Sequence, residues 1–485
     1  MTDMALIPEF LRGPILVAGA GVSGLGAAKL LRGLNANTTV ADDNEINRDN
    51  VEKLTGATTL SVADAQARVS EFSLVVTSPG WRPDTSLLVA AQQAGVEVIG
   101  DVELCFRLDR AEVFGAPRTW LVVTGTNGKT TTTGMLTAMM KETGLHTGLR
   151  AEACGNIGVA ISDALIDPER VDILVAELSS FQLHWSSQLV PDAGVLLNLA
   201  DDHIDWHGSF EEYAKAKAKV FQAPVAVAGI DDAEVRTQVQ ATGRDDIIGF
   251  TLGEPASGDY GVVDDFLVEA WGENWNEPAT RLAPAAGIEP AGQAGILDAL
   301  AASAVARSQG ATSDDIANAL RNFHVDGHRG TVVHRAGDVA WVDNSKATNP
   351  HAAHSALEGA GTVAWIAGGQ LKGASVDGLI LAHREQFRAV GILGEDKDII
   401  ADSFARLAPE VPVFVTQSQD PDEAMDDVVS YVAGQVRPGD SVLLAPAAAS
   451  LDMYTGMSQR GDIFARAART HAIIPTPEQE NFQEG

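Results

Sequence analysis

The sequence predicts an α/β protein of three domains, and three observations carry that expectation. The chain has 485 residues, at about 100–200 residues per domain. Short apolar stretches alternate with helical patterns along most of its length, as parallel sheets require. Turns rich in Gly, Ser, Thr and Asn follow several of these stretches, at the strand ends where open α/β sheets hold ligands. The expected domains are 1–108, 109–325 and 326–485.

Composition narrows the function. Hydrophobic residues make up 45% and charged residues 21%, values of a globular chain that buries several cores. Lys and Arg total 34 against 66 Asp and Glu, a net charge of −32. Such a surface repels phosphate backbones and anionic lipid, which argues against nucleic-acid and membrane-surface roles. Any anionic ligand must then be held by local donors working against the global field. Cys105 and Cys154 are the two cysteines and lack CxxC spacing, so neither a disulfide framework nor a zinc site is expected. The start carries Asp3 and Glu9 without a basic region and does not read as a signal peptide. No apolar run approaches 18 residues, so no transmembrane helix is expected and a cytoplasmic protein is the default.

The first domain opens with an apolar strand at 15–18, then Gly19-Ala20-Gly21-Val22-Ser23-Gly24 and a helical stretch. A second strand ends near Asp42, eighteen residues past Gly24, and a third, 74–77, ends at Ser78-Pro79-Gly80. The GxGxxG spacing with a following acid matches a dinucleotide fingerprint and a Rossmann-like domain. Physically it says that a pyrophosphate sits on a helix N-terminus and an acid takes a polar group. NAD and a UDP-sugar both fit.

The second domain carries the sharpest signal. A buried-type strand, 120–123, leads into Thr124-Gly125-Thr126-Asn127-Gly128-Lys129-Thr130 and a helix expected to reach about Lys141, with Gly144 as its terminating residue. Such a loop aims backbone N–H groups and a helix N-terminus at an anion. Lys129 would neutralise phosphates and Thr130 would reach Mg²⁺. The GxxGKT spacing is two residues shorter than the general phosphate loop. Glu177 closes the strand 173–176 and is a candidate second anchor for the metal. His203, within Asp201-Asp202-His203-Ile204-Asp205, fits either a divalent-cation ligand or an ordinary Asx turn.

Lys217 stands out by periodicity. Ser209-Phe210-Glu211-Glu212 reads as a capping box. Phe210, Tyr213, Lys217, Val220 and Phe221 then share one face, while Lys215 and Lys219 fall on the other. A bare buried ammonium costs several kcal/mol. Lys217 therefore snorkels, pairs with an acid, or is chemically altered. The stretch 254–290, rich in Gly, Pro and Asp, is expected to form irregular hairpins or long loops.

The third domain begins near Asp326-Gly327-His328-Arg329, with strands expected at 339–342, 362–367, 389–393, 411–415 and 441–444. Asp343-Asn344-Ser345-Lys346-Ala347-Thr348-Asn349 follows the first of these and suits a carboxylate. Ala447-Ala448-Ala449-Ser450-Leu451-Asp452 follows the last and lets a ligand approach closely. The tail after Ile474 is expected to fray, and no solenoid repeat is visible.

Together these residues resemble the Mur ligases of peptidoglycan synthesis, most closely the member that adds D-glutamate. Gly125-Thr126-Asn127-Gly128-Lys129-Thr130-Thr131, Glu177-Leu178-Ser179-Ser180-Phe181-Gln182-Leu183 and Ser345-Lys346-Ala347-Thr348-Asn349 carry the resemblance. Cys154-Gly155-Asn156-Ile157-Gly158, Asp202-His203, Gly327-His328-Arg329 and Gly368-Gly369 support it. It implies Rossmann-like domains at both ends and a P-loop-type mononucleotide-binding α/β domain between them. Val22, Ser23, Asp42, Ser78, Gly80 and Asn156 would hold UDP-N-acetylmuramoyl-L-alanine. Residues 125–132, including Thr131 and Thr132, would hold ATP, with Asp298, Arg329 and Asn344. Thr130, Glu177, His203 and a carbamylated Lys217 would hold two Mg²⁺ ions. Lys346, Thr348, Ser450 and Leu451 would grip D-glutamate.

Three positions depart from the family: Asn344 where Asp is usual, with Asp343 as a possible substitute, Asp298 where Asn is usual, and Met457 where an aromatic residue is frequent. The resemblance further implies a monomer, an acyl-phosphate mechanism, and hinges near 108–118 and 324–328. Another Mur-type or folylpolyglutamate ligase, an NAD-dependent oxidoreductase and a non-catalytic nucleotide sensor are the rival readings.

Overall fold

The computed structural model describes residues 7–270, 279–325, 327–358 and 360–472. The expected tail after Ile474, part of the start, part of 254–290 and Asp326 lie outside them. The described chain holds three sheets and divides into two compact units. Among the described residues no helix is long and apolar enough to cross a membrane.

The first unit, residues 1–199 and 210–323, contains two sheets. Its first sheet has five parallel strands in the order Thr58–Leu60, Thr38–Ala41, Ile15–Ala18, Leu74–Thr77, Glu97–Gly100. Ile15–Ala18 is buried throughout, as a central parallel strand flanked by helices must be. The order reverses there, so the Gly19 and Ser78 turns emerge side by side.

The second sheet has nine strands, and Thr119–Thr124 lies between Ala193–Leu196 and Ile173–Glu177. Within 254–290 the described residues form antiparallel strands, Tyr260–Val263, Phe266–Glu269 and Thr280–Pro284, which extend the sheet at its far edge. The helix after the Gly125 loop runs Lys129–Thr147, past the expected end. Gly144 stays helical, and the left-handed cap falls at Gly148, whose N–H donates to the Gly144 carbonyl. Either glycine could end the helix by local chemistry; the fold uses the second.

The expected hinge at 108–118 is riveted within this unit. The buried Arg118 guanidinium donates to Asp109 Oδ1 at 2.8 Å and to the carbonyls of Val171 and Leu165 at 2.9 Å. Asp109 Oδ2 accepts from Arg118 N–H at 2.9 Å and Trp120 Nε1 at 3.0 Å. The two sheets also meet directly: buried Glu103 accepts from the hydroxyl of Ser187 and from the N–H groups of Ser187 and Gln188. The linker is thus anchored at both ends, while Ala111, Glu112 and residues 115–117 between them are exposed.

The second unit, residues 200–209 and 324–485, holds a six-stranded sheet in the order Thr331–Ala336, Val339–Asp343, Ser441–Leu444, Val363–Gly368, Phe387–Leu393, Val413–Val415. All but the first pair are parallel. The unforeseen strand Thr331–Ala336 is an antiparallel edge, and its exposed Thr331, Val332 and Arg335 break the apolar pattern of a buried strand.

Candidate active site

The phosphate-type loop is built from its own backbone and its neighbours. Thr119–Thr124 delivers the chain to Gly125, and the helix starts at Lys129 after Gly128. Gly128 has φ of 81°, and a Cβ there would lie 2.2 Å from Asp298 Oδ1, so a side chain is excluded twice over. Asn198 pins the loop's middle, its Oδ1 accepting from the Asn127 N–H at 2.8 Å and its Nδ2 donating to the Asn127 carbonyl at 3.2 Å. Thr126 Oγ1 lies 2.8 Å from the Tyr213 hydroxyl. Lys129 Nζ donates to the carbonyls of Gly125 and Thr126 at 2.9 and 2.7 Å.

Two predicted residues join this loop. Lys217 is 2% exposed, which rules out snorkelling. Its Nζ donates to the Gly125 carbonyl at 2.7 Å and to Thr124 Oγ1 at 3.3 Å, and lies 5.0 Å from the centre of the Tyr213 ring. Glu177 pairs in register with Val123 on the adjacent strand. Asn156 Nδ2 donates to Glu177 Oε1 at 2.8 Å, while Oε2 is buried without a hydrogen-bond partner among the described residues. An orphaned carboxylate oxygen beside a phosphate-type loop suits a divalent cation, and Mg²⁺ needs only one or two protein carboxylates when phosphate oxygens complete its shell.

Thr130 lies in the first turn of the helix, partly exposed, and the buried Thr131 and Thr132 follow. Thr132 Oγ1 donates to Asp298 Oδ1 at 3.0 Å, so Asp298 reaches the helix start. Lys219, expected on the far face, donates to the carbonyls of Leu183, His184 and Ser186 at 2.8–3.0 Å. Lys217 and Lys219 thus reach different elements, and a 3₁₀ turn at Lys219–Gln222 follows the helix Phe210–Ala218.

At the first sheet, the helix Val22–Gly33 begins beside the Gly19 loop, with Val22 exposed. Asp42 organises this turn: Oδ2 accepts from the Ala20 N–H at 2.7 Å and Oδ1 from the Asn44 N–H at 2.8 Å. Gly24 packs on the Gly19 carbonyl, where a Cβ would come within 1.8 Å. The Ser78 hydroxyl is buried here without a partner among the described residues, and Gly80 follows in the same turn. Asp101, hydrogen-bonded to Ser23, has its carboxyl pushed up to about 6 by burial.

In the second unit, burial alternates along 343–349. Asp343, Ser345, Ala347 and Asn349 point inward, while Asn344, Lys346 and Thr348 are partly exposed. Asp343 is buried and engaged: its Oδ2 takes His328 Nδ1 at 2.6 Å and its Oδ1 the Ser345 N–H at 2.9 Å. Arg329 is partly exposed, Ser450 buried, Leu451 71% exposed and Met457 37%. His203 lies on the segment 200–209 of this unit, with a left-handed φ of 55° and Nε2 3.5 Å from Asp202 Oδ2.

Residues 13–100 match the Mur ligase MurD-like N-terminal domain, and residues 123–306 match the Mur ligase middle domain. A UDP-N-acetylmuramoylalanine–D-glutamate ligase from Corynebacterium diphtheriae is 57% identical over 96% of this chain and 97% of its own. The chain belongs to the Mur ligase family. The ligase of the same name from Mycobacterium tuberculosis is 44% identical over 94% of this chain and 95% of its own. The fold matches the crystal structure of UDP-N-acetylmuramate–alanine ligase from Thermotoga maritima, with TM-score 0.55, 17% identity, and coverage of 94% and 99% of the two chains.

Two structural residues of this Mur ligase escaped the sequence reading. Asn198 is one. The other is Arg460, fully buried, whose guanidinium donates to Ser345 Oγ and O at 3.0 and 2.9 Å and to the carbonyls of Gly368 and Ala448 at 3.2 and 3.1 Å. It ties together the turns after three neighbouring strands. Its signal was present: Arg460, Ile463, Phe464, Ala467 and Ala468 share one buried face of the helix Met457–His471. Lys372, with φ of 53° just beyond the strand Val363–Gly368, is a second cation at this sheet edge that the sequence reading passed over.

Proposed function

We propose that this chain catalyses ATP-dependent amide formation between D-glutamate and UDP-N-acetylmuramoyl-L-alanine, in the cytoplasmic synthesis of peptidoglycan precursors. The observation that carries the reading is the convergence of the Gly125 loop, the buried Lys217 and the orphaned Glu177 oxygen at the C-terminal ends of two adjacent parallel strands. The names of the full-length relatives supply the two substrates. The oxidoreductase alternative gives way, because its fingerprint loop lies within the stretch matching the MurD-like N-terminal domain.

A carboxylate is a poor electrophile with a poor leaving group. In the reaction, the alanine carboxylate attacks the γ-phosphorus of ATP, ADP leaves, and an acyl phosphate remains. The amine of D-glutamate then attacks the acyl carbon, phosphate departs, and the nitrogen loses its proton. Lys129 neutralises the transferring phosphoryl group, and backbone N–H groups at the start of the helix position it. Two Mg²⁺ ions would spread the developing phosphate charge, held by Thr130 and Glu177 with His203 and a carbamylated Lys217. Carbamylation would make Lys217 an anion and a metal ligand.

Val22, Ser23, Asp42, Ser78, Gly80 and Asn156 hold the UDP substrate in this reading. Asn156 also orients Glu177, so it serves both sets. Asp298, Arg329 and Asn344 contact the nucleotide, and Lys346, Thr348, Ser450 and Leu451 the D-glutamate. The enzyme acts as a monomer. Phosphate release from ATP with UDP-N-acetylmuramoyl-L-alanine tests the whole: it should depend on added D-glutamate, and release indifferent to D-glutamate would overturn the assignment.

A further inference from the structure

We infer that Asn198 is a positioning residue for the nucleotide, acting through the main chain of Asn127; this rests on the ATP-dependent reading above. The strand Ala193–Leu196 runs parallel to Thr119–Thr124. Beyond its end the ladder continues irregularly. The Leu197 N–H donates to the Thr124 carbonyl at 3.0 Å, and the Thr126 N–H donates to the Asn198 carbonyl at 2.9 Å. At Asn127 a side chain continues the series of contacts. The Asn198 carboxamide offers one acceptor and one donor to the same residue's N–H and carbonyl. The side chain thus adds one rung to the sheet at the point where the loop turns toward the phosphates.

The chemistry of that rung is specific. The Asn127 peptide needs a donor and an acceptor at fixed separation, and a primary amide at this reach supplies both. An alanine leaves both groups of Asn127 to water. An aspartate keeps the acceptor, loses the donor, and sets a negative charge beside a loop meant for phosphate. Asn198 is also held from the other side, because the Leu199 N–H donates to Asp232 Oδ2 at 3.0 Å. The clamp is therefore a fixed point on which the loop is hung. It touches neither the Lys129 ammonium nor Glu177 in the hydrogen bonds given above, so its effect on the reaction is indirect.

The test uses the full chain and MgADP binding by calorimetry, with steady-state kinetics in all three substrates. Asn198→Ala should weaken MgADP binding and raise KM for ATP by about tenfold or more, as expected for the loss of two backbone-anchoring hydrogen bonds. KM for the other two substrates should stay within about twofold and the melting temperature within a few degrees. A second variant covers poor folding of the first. Asn198→Asp should bind MgADP weakly at pH 8 and regain affinity relative to wild type as pH falls, because a protonated carboxyl again offers a donor and an acceptor. Unchanged MgADP affinity in both variants, or an equal rise of all three KM values with a lowered melting temperature, overturns the inference. Wild-type protein that fails to bind MgADP would instead overturn the ligase reading.

Discussion

The ammonium of Lys217 donates to the carbonyl oxygen of Gly125 at 2.7 Å, inside the protein and at the root of the loop that Lys129 closes. Two lysines therefore share one carbonyl, since Lys129 reaches the same oxygen at 2.9 Å. A second cation so close to the first is costly in a dry site, and conversion of Lys217 to an anion would relieve it. Lys217→Ala is expected to lower turnover on the order of 100-fold, in the range of other electrostatic contacts to a transition state. Short carboxylates such as acetate should restore part of it, and the check is phosphate release with and without them. Normal turnover in the unsupplemented variant would rule out the carbamate.

Glu177→Gln separates charge from shape. The amide oxygen still accepts from Asn156 Nδ2, but the orphaned oxygen is replaced by an uncharged group. Turnover should fall about 100-fold or more and require higher Mg²⁺, with little change in melting temperature. A Mg²⁺ dependence identical to wild type would remove Glu177 from the metal site.

Arg460→Met takes four hydrogen bonds from the turns at Ser345, Gly368 and Ala448. The expected cost is about 3 kcal/mol in the second unit, because several buried acceptors are stranded at once. KM for D-glutamate should rise while MgADP binding is kept. Chemical denaturation and a D-glutamate titration decide it.

Asp101 supplies a pH dependence. Burial of its carboxyl is opposed by hydrogen bonds from Ser23 and backbone N–H groups, and the net effect raises it from 3.8 to about 6. Its side-chain Oδ1 is enclosed although the residue keeps some exposed surface. An acid whose folded value is raised favours the folded state when protonated, so stability is lost as pH climbs from about 4 to 6. Asp101→Asn should flatten that interval and add about 2 kcal/mol above pH 7. Urea midpoints between pH 4 and 8 measure it, and parallel curves for the two proteins would refute it.

What could be read in the letters were features set by nearby residues. Apolar runs ending in Gly-rich turns placed the central parallel strands of all three sheets, because a strand buried on both faces leaves a continuous hydrophobic signature, while Thr58–Leu60, Glu97–Gly100, Ala151–Gly155 and Ile248–Phe250 went unread. Lys217 was legible because helical spacing put a charge on an apolar face. The same spacing put Lys219 on the other side but gave no hint of the three carbonyls that hold it there. Asn198 and the rivet at Arg118 were hidden for another reason: their partners lie 71 residues and up to 53 residues away. Asp343 was offered as a possible substitute for its neighbour Asn344; the letters did not show that Asp343 is the buried one, at the end of its strand.

The ion pair of Arg118 with Asp109 has a consequence for anyone dividing the gene. A fragment ending near residue 110 would keep the Asp109 carboxylate and lose its guanidinium, and would also strip Glu103 of the amides of Ser187 and Gln188. The complementary piece starting at 111 would carry a guanidinium shaped for a vanished counterion. Both halves should precipitate or stay unfolded, whereas co-expressed halves should find each other and form a nicked but intact body.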